Sequence, residues 1–193
     1  MTSAGLAGCQ LVRPNIPEYT PSPLETCVGA HEWTLDVATL ATSTRDSMAE
    51  VALAVSVAVE GTQTLTYTPG VGSVVVDSDL TITASARHSD EVAVRTVDGE
   101  STGRAYFSDD VAIPRDWDES RLDIVDSFTK GGTPVDPAPW RVTHSWIDDT
   151  VGLETTCTDD TLTLVARGTK NVWTFHSPGW TPAPTDSATP APQ

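Results

Sequence analysis

Basic residues and cysteine are what this chain has least of. Eleven Lys and Arg stand against 27 Asp and Glu in 193 residues, a formal net charge of −16. A chain this acidic has little with which to neutralise phosphates, so nucleic acid is excluded as a partner. Electrostatic adsorption to anionic lipid is excluded for the same reason. No apolar run approaches the ~18–20 residues of a membrane-spanning helix. His-Glu-x-x-His, Gly-x-Ser-x-Gly, P-loop and Gly-x-Gly-x-x-Gly motifs are all missing. The four histidines, His31, His88, His144 and His176, are never paired at metal spacing, and there is no Cys-x-x-Cys. No metal or cofactor is expected. What is present is an apolar share of 38%, which with glycine is that of an ordinary globular protein, at a length suited to one domain.

The prolines crowd the ends of the chain. Nine of the fourteen lie either between Pro14 and Pro23 or from Pro178 onward. Proline fixes φ and lacks a donor, so neither segment suits a helix or strand interior. Residues 9–26 read as an extended tether and 178–193 as a disordered Pro/Thr/Ala tail. Ahead of the tether stands Leu6-Ala7-Gly8-Cys9, which resembles the lipobox of bacterial lipoproteins. That resemblance implies lipidation of Cys9 and makes residues 1–8 the remnant of a signal peptide. Three cysteines leave one over. With Cys9 lipidated, Cys27 and Cys157 remain as a pair; the alternative is two unpaired core cysteines.

The middle, residues 27–177, reads as mainly β with one helix. Trp33 to Leu35 predicts an opening strand. Leu40, Ala41, Thr44 and Met48 follow at helical spacing behind Asp36, a suitable N-cap, which predicts a helix over about 36–50. Period-two alternation then predicts strands near 51–59, 62–68, 74–76, 80–84, 91–97 and 102–107. Asp98-Gly99 predicts a hairpin turn. The acidic stretch 108–120 predicts a loop. Further strands are expected at 122–128, 140–146, 153–157, 161–165 and 172–175. Eight to ten short strands with tight turns predict an antiparallel barrel or sandwich.

Cys27 before Trp33-Thr34-Leu35-Asp36, and Cys157-Thr158-Asp159-Asp160-Thr161-Leu162-Thr163-Leu164 near the end, give the chain a wider likeness. It resembles the lipocalin-like domains of Gram-positive surface lipoproteins. The resemblance implies a lipocalin-like barrel or half-barrel flanked by the helix, and a Cys27–Cys157 bridge.

Trp33, Trp140, His144 and Trp146 are the candidate ligand contacts. Trp117 and Trp140 lie in or beside expected loops, and Trp180 marks the start of the tail. Acidic clusters such as Asp116, Asp118 and Glu119 could offer oxygens to calcium but match no EF-hand spacing, and read as solvated turns. The expectation is a monomeric, non-enzymatic lipoprotein. It is held at the outer face of the cell membrane through Cys9 and binds a small apolar ligand in its barrel. A cell-envelope protein-interaction module is the alternative, and a hydrolase with an acidic site a second one.

Overall fold

A computed structural model describes residues 19–50, 55–142 and 151–180. Cys9, His144 and Trp146 lie outside the described residues. The elements run α1 (Pro23–Val28), β1 (Trp33–Leu35), α2 (Val37–Glu50), β2 (Val55–Thr68), β3 (Ser73–Ala86), β4 (Glu91–Ser108) and β5 (Val111–Lys130). They continue with β6 (Thr133–Pro134), β7 (Leu153–Cys157), β8 (Thr161–Ala166) and β9 (Val172–His176). Eight strands close an antiparallel barrel in the order β1-β2-β3-β4-β5-β7-β8-β9 and back to β1, with β6 an extra strand on β5.

The strands are of two lengths. β2 to β5 have 14 to 20 residues, whereas β1, β7, β8 and β9 have 3 to 6. The long strands therefore pass beyond the barrel as a four-stranded sheet. β3 shows why they stay continuous: Val74, Val76, Ser78, Leu80, Ile82 and Ala84 all face in, while Asp77, Asp79 and Thr81 face out. The acidic residues that suggested breaks are the outer half of one alternating pattern. Asp98-Gly99 is likewise no hairpin, since Gly99 pairs with Ser78 and Leu122 inside β4. Gly61 and Gly99 have φ of 103° and 107°, and a Cβ on either would collide with a neighbouring strand's carbonyl, Asp79 or Arg121. They bend the long strands where these leave the barrel.

Residues 108–120 are also strand rather than loop. β4 ends at Ser108, Asp109 and Asp110 make the turn, with Asp109 at φ 55°, and β5 begins at Val111. Short polar Asp side chains tolerate that conformation, so a two-residue turn suffices. The strand expected at 140–146 is not formed in its described part, Trp140–Val142.

Two cores result. The larger fills the barrel around Trp33, Leu65, Val76, Leu162, Trp173 and Phe175. The smaller, with Met48, Val55, Ile82, Ala84, Ala93, Phe128 and Val142, lies on the projecting sheet. Helix α2 joins them: Leu40 belongs to the first and Met48 to the second, eight residues apart on one face. Ser43 Oγ donates to Lys170 O and accepts from Val172 N, which ties α2 to the β8–β9 turn.

Asp36 caps α2 as expected. Its Oδ1 accepts from Ala38 N at 2.9 Å and Thr39 N at 3.2 Å, and its Oδ2 from Thr39 Oγ1 at 2.9 Å. Helix α1 falls in the segment read as a tether. Ser22-Pro23-Leu24-Glu25 is a capping box with Pro in the first turn, and this local chemistry overrides the proline content around it. Cys27 on α1 is disulfide-bonded to Cys157 at the end of β7, with Cα atoms 6.1 Å apart.

The disulfide closes a loop of 130 residues. Replacing both cysteines by alanine is expected to remove about 5 kcal/mol in the chain-entropy model, read as a fall in denaturation midpoint. Burial pushes the Asp36 carboxyl up, but bonds from Thr39, Ala38 and His176 outweigh it and hold the group below its ordinary range. Its contribution is thus full above about pH 4 and lost as pH falls through the folded-state value. Asp36→Ala should cost about 1 kcal/mol at pH 7 and flatten the acid limb of stability measured against pH.

Candidate functional site

The barrel lumen is capped at one end by α1. Val28 lines it, and Trp33 Nε1 donates to Val28 O at 2.8 Å. Two phenols meet Glu25 at this cap. Tyr19 donates to Glu25 Oε1, and so does Tyr67, at 3.0 Å, from inside the barrel. Burial pushes the Tyr67 hydroxyl up, with the Glu25 carboxylate adding to it, so Tyr67 stays a neutral donor. Burial opposes ionisation of Glu25, but the bonds from Tyr19, Ser22 and Tyr67 prevail and hold it low. The disulfide and this latch fix α1 over the lumen from two sides.

The lumen lining is mostly aliphatic and aromatic carbon, with Leu65, Val74, Ala105, Leu153 and Leu164 among it; Tyr67 and Trp117 bring one polar atom each, and no described Lys, Arg or His lines it. In this conformation its free volume is about 30 Å³. That is a small fraction of the roughly 300–1,000 Å³ of ordinary ligand pockets.

Trp117 takes up the space. β5 carries an extra residue between the pairs Thr102↔Asp118 and Arg104↔Arg115, a β-bulge in which Asp116 has φ 53°. A bulge re-aims the following side chain, and here Trp117 turns inward and lies flat over Gly103, where a Cβ would strike the indole. Trp117 Nε1 is buried and has no acceptor among the described residues. Ser101, two residues from Gly103 on the same face of β4, is wholly buried and its Oγ is likewise unpartnered. Each such group costs about 1–3 kcal/mol. By contrast, buried Gln63 and Ser78, on the adjoining strands, bond to each other at 2.9 Å.

A second concavity is open to solvent. It is a groove of about 500 Å³ between the end of β5 and residues 134–142, lined by Phe128, Pro134, Val135, Trp140, Asp126 and Arg141 among others. Trp140 packs edge-on against Phe128 and donates Nε1 to Glu91 at 3.2 Å. Asp126 accepts two bonds from Arg95, at 2.7 and 2.8 Å; these outweigh its burial and, with Arg141 nearby, hold its carboxyl low.

Of the candidate contacts named from sequence, the two that are described, Trp33 and Trp140, are not gathered in one site. Trp33 is in the barrel core with no exposed surface and its donor spent, whereas Trp140 lines the outer groove. Trp117 was placed in a loop, and only cross-strand pairing with Gly103 shows its inward aim.

One histidine does meet a carboxylate. His176 Nε2 is 3.5 Å from Asp36 Oδ2, and its Nδ1 is 3.5 Å from Thr161 Oγ1. The order Thr-His-Asp is that of a nucleophilic triad, but Trp180 stacks on the imidazole with centroids 3.4 Å apart, and the group lines neither concavity. Asp116, Asp118 and Glu119 lie exposed along β5, and no metal-ligating cluster occurs among the described residues. No protein-family model matches this chain, and no curated protein matches it.

Gly103→Ala is expected to force the indole of Trp117 out of its seat. The variant should lose about 1–3 kcal/mol, as overpacking does, and its tryptophan emission should shift to the red.

Proposed function

We propose that this protein is a non-enzymatic lipoprotein of the cell envelope, anchored through Cys9 at the outer face of the membrane, whose barrel binds a small apolar ligand. The observation that carries the reading is a closed barrel with a largely apolar lumen beneath a disulfide-fixed helical cap. Side chains that offer a lumen no acid, base or cation give it little chemistry beyond transfer of apolar surface from water. The Cys27–Cys157 bridge supports an oxidising, extracytoplasmic compartment, since such bonds are rare where thiols are kept reduced. The lipobox-like Leu6-Ala7-Gly8-Cys9, ahead of a proline-rich stretch, supports the anchor.

The groove beside Trp140 favours a second reading, a module that docks another envelope protein. Val135 at its rim, and Ile124 and Val125 on the exposed run of β5, are apolar and open to solvent.

Expression in a Gram-positive host behind a lipoprotein leader tests the anchor. The membrane fraction should yield a chain beginning at Cys9 with acyl mass attached, and Cys9→Ser should move the protein into the medium. An unmodified Cys9 in a soluble chain overturns the anchor.

A further inference from the structure

We propose that the barrel takes a neutral, slender apolar molecule bearing one carbonyl-type acceptor, and that Trp117 is both the stopper that fills the ligand's place in this conformation and the donor that holds its acceptor. The proposal rests on the ligand-binding reading above and names the ligand's chemistry and entry point.

Three independent features meet at this spot. The first is the pair of unspent donors on the inner face of neighbouring strands: Trp117 Nε1, on a lumen-lining residue, and Ser101 Oγ, buried two residues from Gly103, whereas the interior hydroxyl of Tyr67 and the Gln63–Ser78 pair are already bonded. Buried donors without partners are rare, and an acceptor brought between them would satisfy either or both. The second is the plug itself. The free lumen is about 30 Å³, and moving the indole off Gly103 joins the volume of a two-ring side chain to it. The third is the hinge. Ladder pairing shifts on both sides of Thr102, and Asp116 and Asp118, which flank Trp117, are exposed. At this point β5 can yield at the cost of only the indole's own packing on the barrel core, since the residues on either side of it face solvent.

The charge of the ligand follows from the lining. A carboxylate or phosphate entering the lumen would lose its hydration to a wall with no Lys, Arg or His. It would also approach a protein of net charge −16. A neutral N–H and O–H suit an ester, ketone or amide oxygen instead. The ligand class is thus a neutral acyl derivative rather than a free fatty acid.

Methyl octanoate, octanoate and n-octane are the probes, each titrated into the full chain while the tryptophan indole N–H resonances are followed. Methyl octanoate should shift the Trp117 indole proton downfield, and octanoate should bind at least tenfold more weakly. Trp117→Phe keeps an aromatic stopper without the N–H and should weaken methyl octanoate about tenfold, the scale of one neutral hydrogen bond, while octane changes less than twofold. Trp117→Ala, which unplugs the lumen, should bind octane more tightly than the wild type. If the ester binds with the Trp117 resonance unmoved and with affinity indifferent to Trp117→Phe and Ser101→Ala, the stopper-and-donor proposal is overturned. Octanoate binding as tightly as the ester overturns the neutral class. If no probe binds the wild type or Trp117→Ala, while the other indole resonances stay dispersed as in a folded chain, the barrel is not a ligand site and the underlying reading falls.

Discussion

Closure of the barrel depends on a strand of three residues, Trp33–Leu35, which pairs with β2 through Trp33 and Thr34 and with β9 through Thr34 and Leu35. So short a strand brings few ladder hydrogen bonds, and most of what holds it is side-chain burial. Trp33 is fully enclosed and Leu35 nearly so, and the indole N–H of Trp33 is bonded to the carbonyl of Val28 on the cap helix. One aromatic residue thus helps close the sheet, anchors the barrel core and seats α1. The disulfide acts on the same joint. By fixing Cys27 to the end of β7 it ties α1 to the barrel wall. Next to β1, Asp36 caps α2 and faces His176 on β9, so the seam is also where the second helix starts.

The two strand lengths divide the molecule into regions with different physical roles. Where all eight strands are present the interior is apolar, capped and nearly full. Where only β2 to β5 continue, one face is covered by α2 and by residues up to Val142, and a wide groove stays open beside Trp140. On the readings proposed above, the first would bury a small molecule once Trp117 moved, and the second would meet a larger surface. The strongly acidic exterior acts on both, since it disfavours anions and keeps the chain apart from other acidic molecules.

The β-bulge at Asp116 shows how a local irregularity determines what a regular sheet can do. Without the extra residue, β5 would keep strict alternation and the indole of Trp117 would face the other side of the sheet. With it, a large aromatic enters the lumen, Gly103 makes room for it, and two buried donors are left without acceptors. Sequence offers little warning of this, because a bulge is a property of paired strands.

Much of the architecture follows from residue order alone, because it rests on local periodicity. The alternation of β-branched residues makes the strands, Asp36 sets the start of α2, and β7, β8 and β9 fall where strands were expected. Cysteine arithmetic and family likeness pointed to the Cys27–Cys157 pair. The tertiary structure decided the rest. Asp77, Asp79 and Asp98-Gly99 looked like strand ends because acidic residues and glycine favour turns, yet cross-strand pairing carries β3 and β4 straight through them. Pro23 looked like tether until the capping box at Ser22 and Glu25 set a helix against the barrel. The inward turn of Trp117 depends on Gly103, fourteen positions away in the chain. Such contacts become visible only when strands are laid side by side, since the forces that choose them act between residues that the chain itself does not place together.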